Sequence, residues 1–297
     1  MIISASRRTD IPAYYSDWML NRIQERYVYV RNPMNSRQVR KVSLDPDAVD
    51  CIVFWSKNPK PMLDKLRCFN SYAYYFQFTL NPYDDDIETK LPVKNELIET
   101  FKKLSDMAGP KRIIWRYDPV LINARYTIDY HIDKFFEFAC QLQGYTEKVI
   151  FSYIDFYKKI TENIQLNCIL EITFDEKTII AEHFSKIAHE NNFCIDTCAE
   201  DIELSHCNIG HARCIDGRLI AEITGNNVAV AKDKNQRLEC GCAASIDIGE
   251  YNSCLNGCIY CYANFSHCVV MNNYNRHNQL SPLLIGDTLI PAREGLA

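Results

Sequence analysis

The chain has 297 residues, 47% of them hydrophobic, and a formal net charge of -5. That length suits one large α/β barrel or two smaller domains, and the acidic balance argues against a surface that binds polyanions throughout. No apolar run approaches the ~18 residues that span a bilayer. The start, "MIISASRRTDIP", has neither a long apolar stretch nor a cleavage site, so a cytoplasmic protein with no membrane partner is expected. Of fourteen cysteines, ten fall between Cys194 and Cys268. In a reducing compartment such clustering points to metal rather than disulfides.

The first predicted strand, Ile2–Ser6, ends in "SRRTD", which supplies Arg7, Arg8 and Asp10. A helix over Pro12–Tyr27 follows, with Pro in its first turn and Tyr15, Trp18, Met19 and Ile23 on one face. Residues 27–44 read as an antiparallel hairpin turning at Asn32–Asn35. From Arg26 to Leu44 the chain has Arg26, Arg31, Arg37, Arg40 and Lys41 and no acid. This stretch is either a solvated hairpin or a surface facing a phosphate or other anion.

Further strands are predicted at Cys51–Trp55, Tyr72–Leu80, Arg112–Tyr117, Lys148–Tyr153 and Phe193–Thr197, apolar and mostly buried. Helical periodicity marks Lys94–Met107, with Leu97, Ile98, Phe101 and Leu104 inward. It marks Asp129–Leu142, with Ile132, Phe135, Phe136 and Ala139 inward. It also marks Asp175–His189, with Ile179, Ile180, Phe184 and Ile187 inward. A short strand is predicted at Ala243–Ile248. Strands alternating with helices give an α/β fold, a barrel or doubly wound sheet.

Three strands end alike, in "WSKNP", "TLNP" and "RYDP". Proline alone explains strand termination there. The C-terminal strand ends of a β/α barrel also form its active-site mouth. Those ends hold Lys57, Asn58, Asn81, Arg116 and Asp118, and "SYIDFY" adds Asp155. The pattern favours a polar pocket, with structural ion pairs as the alternative.

"CLNGCIYCYAN" places Cys254, Cys258 and Cys261 at spacings of four and three. Thiolates are soft ligands suited to iron–sulfur clusters and zinc. A structural site takes four protein ligands; three leave one position for an external ligand. Cys268 as a fourth ligand would close the site and fit zinc instead. "ECGC" supplies Cys240 and Cys242, which with Cys198 and Cys214 suit a second site, iron–sulfur or zinc. Buried free thiols are the alternative. His206 and His211, beside Cys207, read as surface or core histidines rather than ligands.

The motif C-x-x-x-C-x-aromatic-C resembles the signature of radical S-adenosylmethionine (SAM) enzymes. "YCYAN" and "RYDP" resemble the spore photoproduct lyase branch. The run from "SASRRTDIPA" through "FWSKNP", "WRYDP" and "KDKNQRLECGC" to "SPLLIG" resembles more closely an uncharacterised bacterial family with a radical-SAM-like cysteine cluster at its C-terminus. The resemblance implies a 4Fe–4S cluster on Cys254, Cys258 and Cys261, with SAM chelating the fourth iron and Tyr260 beside the adenine. Asn58 and Asn81 join Tyr260 as expected cofactor contacts. Arg7, Arg8, Asp10, Lys57, Arg116, Asp118 and Asp155 are the candidates for holding SAM or substrate. It further implies reductive cleavage of SAM to methionine and a 5′-deoxyadenosyl radical, an electron donor such as flavodoxin or ferredoxin, and hydrogen abstraction from a substrate. A second iron–sulfur cluster or zinc completes the expected cofactors.

In radical SAM barrels the cluster loop follows the first strand, whereas here it comes last. The expected fold is therefore a partial or full parallel β/α (TIM-like) barrel, circularly permuted. Residues 1–200 form its body, and a Cys-rich segment over 201–297 supplies the cluster loop and closes it. Permutation requires the Ala243–Ile248 strand to pair beside Ile2–Ser6, which nearby termini make feasible. Within the enzymatic reading, nucleic acid is an expected substrate class, as in a DNA repair lyase. A noncatalytic zinc- or iron–sulfur-stabilised binding protein is the alternative from another class. Regulation through exposed thiols, without metal, is a third.

Overall fold

Side chains alternate across a strand, so a strand buried on both faces must be apolar on both. The computed structural model, which describes residues 1–226, 230–237 and 239–286, has strands of this kind. In chain order they are β1 (Ile2–Ala5), the hairpin β2 (Tyr27–Asn32) and β3 (Asn35–Ser43), β4 (Cys51–Ser56), β5 (Tyr74–Thr79), β6 (Ile113–Val120), β7 (Lys148–Tyr153), β8 (Cys194–Thr197), β9 (Gly210–His211) and β10 (Ile246–Asp247). One 8-stranded sheet has the order β10-β1-β4-β5-β6-β7-β8-β9, with every pairing parallel. The last strand therefore lies beside the first, with Ile3 opposite Ile246. Among the described residues β9 and β10 do not pair, so strand pairing does not close the sheet.

The outer face of the sheet carries helices α3 (Lys94–Ala108), α4 (Ile128–Leu142) and α6 (Phe174–Glu190). Trp115 of β6 stacks on Phe135 of α4 at 4.9 Å, and Phe135 stacks on Phe184 of α6 at 3.9 Å. Each such aromatic pair adds about 1 kcal/mol beyond its buried area. Ile2, Val53, Tyr75, Ile114 and Ile150 belong to a second buried cluster on the other face. There they meet residues that follow β9, including Ile215 and Ile220, the latter on α7 (Gly217–Thr224).

Several elements differ from their sequence-based expectation. The Pro12–Tyr27 helix is two, α1 (Ile11–Tyr14) and α2 (Ser16–Glu25). Tyr15 leaves helical geometry at φ -132 and donates its hydroxyl to the Ser253 carbonyl at 2.6 Å. The Ala243–Ile248 strand shortens to β10 because the Ala243 and Ala244 N–H groups donate instead to Ile215 and Ala231. On α4 the core face is His131, Phe135, Phe138 and Leu142, while Phe136 is exposed. Ile179 of α6 is likewise exposed. Tyr72 precedes its strand, its N–H closing a 3₁₀ helix at Lys60–Phe69.

Two further short helices are α5 (Thr161–Leu166), between β7 and α6, and α8 (His267–Asn275), which follows the cluster loop. The segment after residue 200 contributes β9, α7 and β10, while its end, 287–297, lies outside the described residues. Among the described residues no helix is long and apolar enough to cross a membrane.

Candidate metal and substrate site

Along each central strand the inner face turns from apolar to polar toward the C-terminal end. Tyr75 gives way to Gln77, Ile114 to Arg116 and Ile150 to Ser152. These ends line a cavity of about 410 Å³. It takes in Arg7, Arg8 and Asp10 after β1, Lys57 after β4, Arg116 and Asp118 of β6, and Asp155 after β7. Cys254, Cys258, Cys261 and Tyr260 line it from the cluster loop. Cys198, Cys214, Cys240 and Cys242 line it as well.

Two predicted residues do not line it. Asn58 accepts from the Lys60 N–H and serves the following 3₁₀ turn. Asn81 sits behind the wall: its amide donates to the Asp118 carbonyl and the Tyr260 hydroxyl, and its oxygen accepts from the Asp118 N–H at 2.7 Å. Cys268 is exposed at the start of α8, outside the cavity lining.

The cluster loop is fixed by the loop after β5. Glu88 and Cys258 form an antiparallel bridge, and the Ile259 N–H donates to the Ile87 carbonyl at 3.1 Å. Thr89 donates its hydroxyl to the Gly257 carbonyl at 3.1 Å. Gly257 has φ +68, and a Cβ there would stand 2.2 Å from Thr89 Oγ1, so glycine is required twice over. From the other side Asp10 accepts from Ala13 N–H, Ser56 Oγ, Lys57 N–H and Asn256 Nδ2. With both oxygens engaged, Asp10 positions the loop.

Glu88, absent from the expected site, is its buried acid. It accepts from Lys57 Nζ at 2.8 Å, Lys94 Nζ at 2.6 Å and the Tyr260 hydroxyl at 2.5 Å. Burial pushes its carboxyl up, but the two ammonium groups outweigh that and hold it down at about 2. Lys57 also donates to the Tyr260 hydroxyl at 2.7 Å. Local sequence gives no signal for Glu88, one of four acids in "DDDIE".

Arg116 is buried. It pairs with Asp118 and donates to Cys214 Sγ at 2.8 Å. Ser152 donates to the other Asp118 oxygen at 2.5 Å. Burial raises that carboxyl, and Arg116 more than reverses it. Trp55 lies between Arg7 and Arg116, whose guanidinium carbons stand 5.2 and 5.3 Å from the indole. Arg7 Nη2, Thr9 Oγ1 and Trp55 Nε1 are buried without a hydrogen-bond partner, and all three residues line the cavity. Asp155, half exposed, pairs with Arg237 across the mouth.

Both cysteine groups are electrostatically distinct. Burial pushes the Cys254, Cys258 and Cys261 thiols up, Cys258 to about 12 against the pull of Lys57. In the other group Cys198 and Cys214 sulfurs stand 3.3 Å apart. The Cys214 hydrogen bond and then the Arg116 charge bring Cys198 down to about 7. Cys242 is lowered by hydrogen bonds from Cys214 and Cys240 and by the Arg7 charge.

The donor set suits a soft metal group. Ligands of one tetrahedral zinc stand about 3.8 Å apart, given Zn–S bonds near 2.3 Å. Glu182, His206 and Cys207 are the one group of described residues whose candidate ligand atoms all lie within 4.8 Å of one another, and they lie outside the cavity lining. The three triad sulfurs do not all lie within that distance of one another. His206 and His211 are exposed. Comparison with curated proteins and with solved structures gives no match. Over residues 2–263 the chain matches the family described as "Domain of unknown function (DUF1848)", and it belongs to that family.

Proposed function

We propose that the chain is a radical SAM-type iron–sulfur enzyme built on a circularly permuted β/α barrel. The observation that carries this reading is the meeting of three triad thiols, seven strand-end charges and unpartnered buried donors in one cavity, with Cys268 elsewhere. The adjacency of β10 and β1 supports the permutation. About 410 Å³ falls within the ~300–1,000 Å³ of small-molecule sites.

Cys254, Cys258 and Cys261 would hold a 4Fe–4S group and leave one iron for SAM. When bound, these supply one-electron cleavage of a sulfonium and radical chemistry. The protein's own work is orientation and exclusion of water. Glu88 keeps the Lys57 ammonium against the Tyr260 hydroxyl, fixing that ring beside the loop. Arg7 Nη2 and Trp55 Nε1 are free to donate to a bound acceptor. The Arg116–Asp118 pair sets the cavity floor.

The test is anaerobic reconstitution with iron and sulfide, followed by SAM and a reductant. We expect about four irons at the triad, 5′-deoxyadenosine formation, and loss of both in Cys258→Ala. An intact cluster that yields no 5′-deoxyadenosine with SAM and candidate substrates would sink the enzymatic reading.

One observation favours an anionic substrate. A second groove, of about 670 Å³, runs from the hairpin to the cavity rim and is lined by Arg7, Arg8, Arg31 and Arg40. Its two acids are already engaged, Asp247 by Ser4, Ser6 and the Arg7 N–H, and Asp233 by the Asn235 N–H and Gln236 Nε2. A nucleic-acid substrate fits this groove.

A further inference from the structure

One group of ligand-type side chains lies away from the cavity, where α6 meets the connection from β8 to β9. On α6, Glu182, Ser185 and His189 share a face, at helical spacings of three and four. Ser185 donates its hydroxyl to the Cys207 carbonyl at 2.5 Å, and its oxygen meets His189 Nδ1 at 3.3 Å. Cys207 closes a 3₁₀ turn at Ser205–Cys207, its N–H on the Leu204 carbonyl at 2.9 Å and the Asn208 N–H on the Ser205 carbonyl at 3.0 Å. Leu204 and Ile209, on either side, are buried. The turn is therefore seated on the helix, with Glu182 one helical turn before Ser185.

We propose that Glu182, His206 and Cys207 bind a zinc-type divalent ion that ties the β8–β9 connection to α6, with the fourth position left to water.

Spacing, donor chemistry, charge and access argue for it. Among the described residues these three alone offer ligand atoms that all lie within 4.8 Å of one another. Tetrahedral zinc, with bonds of about 2.3 Å to sulfur and about 2.1 Å to nitrogen and oxygen, sets such atoms about 3.5 Å apart. Rotation of exposed side chains between rotamers closes that gap without moving the backbone. The donors are one carboxylate oxygen, one imidazole nitrogen and one sulfur. Sulfur and imidazole select a zinc-type ion over magnesium or calcium, which take oxygen ligands. One carboxylate and one thiolate offset the two positive charges, and the imidazole binds neutral, so the filled site carries no net charge; the thiol proton leaves to solvent on binding. Glu182 and His206 are exposed and Cys207 is half-buried, which gives an ion a path from solvent. The strand that follows, β9, has two residues and lies at the sheet edge. So short a ladder holds the edge weakly, and a tie in the connection before it strengthens that hold.

The site lies outside the cavity lining, so it is independent of the radical reading and its test needs no SAM. The full chain, given Zn²⁺ alone, is alkylated with and without a chelator, and Cys207 is followed by peptide mass spectrometry apart from the cavity cysteines. Zinc should slow alkylation of Cys207 at least tenfold, and the chelator should restore the rate. Glu182→Gln and His206→Asn, both at exposed positions, should each abolish protection of Cys207 and leave that of the cavity cysteines unchanged. Zinc should also slow hydrogen exchange over residues 205–209 in the parent and not in His206→Asn. Equal alkylation of Cys207 with and without zinc, or protection that survives both substitutions, would overturn the site. Equal protection by Mg²⁺ would overturn the choice of ion, and exchange over 205–209 indifferent to zinc would overturn the tie.

Discussion

Gly257 shows how one backbone position governs the cluster loop. Its positive φ strains any L residue, by about 1–2 kcal/mol. The added Cβ would also displace Thr89 Oγ1 and its hydrogen bond to the Gly257 carbonyl. Gly257→Ala should lower stability by about 1–3 kcal/mol and reduce iron retained per chain. Adding Thr89→Ala relieves the contact but not the strained φ, so it should restore part of the loss. Thermal unfolding and iron analysis check this; a Gly257→Ala chain indistinguishable from the parent on both would refute it. The glycine was legible as a loop residue. That its Cβ would meet Thr89, 168 residues earlier, was not.

At the scale of elements, α4 carries a pH-dependent term. His131 is buried between the Tyr117 hydroxyl at Nδ1 and the Leu121 carbonyl at Nε2, both at 2.8 Å. With Nε2–H donating to the carbonyl, Nδ1 accepts from Tyr117, which fixes a neutral ring. Burial lowers its pKa to about 4, against an ordinary value near 6.5. Between those values the unfolded chain binds the proton more readily, so stability rises with pH. The contribution is complete above about pH 6.5 and is lost as pH falls toward 4, up to about 3 kcal/mol. Denaturant midpoints of the parent and His131→Gln should converge as pH drops from 7 to 4.5. A constant gap over that range would refute the assignment. The helix itself was legible from its 3.6-residue period, but its facing was not. "KFFEFACQL" offers apolar residues on more than one side, and packing against Trp115 and Phe184 chose Phe135 and Phe138 over Phe136.

For the whole molecule the charge pattern makes its own prediction. Net charge is -5, yet the groove beside the hairpin carries Arg7, Arg8, Arg31 and Arg40. If a nucleic acid lies there, affinity for a single-stranded oligonucleotide should fall by about tenfold or more between 50 and 200 mM salt. Arg40→Glu, on the exposed strand β3, should weaken it without changing metal content. Binding that is absent, or indifferent to both salt and Arg40→Glu, would remove nucleic acid from the substrate classes.

Much of the site could be read before any coordinates. Arg7, Lys57, Arg116 and Asp118 were recognisable because buried parallel strands tolerate charge only at their ends, and prolines marked those ends. The seven cavity cysteines were recognisable from clustering and short spacings. Glu88, Trp55 and Arg237 were not, because their part depends on burial and on partners far along the chain: Glu88 with Tyr260 across 172 positions, Arg237 with Asp155 across 82.

Sequence by itself determined the α/β alternation, the strands from β1 to β8, the hairpin and the cysteine groups, since all follow from short periods and local backbone chemistry, but not β9. The place of β10 beside β1 was expected from the late position of the cluster loop, and the pairing bears it out; tertiary structure alone decided that, among the described residues, strand pairing leaves the sheet open between β9 and β10 and that Asn58 serves the following turn rather than the cavity. Strand neighbours are chosen by packing between segments far apart in the chain, and no local pattern encodes that choice.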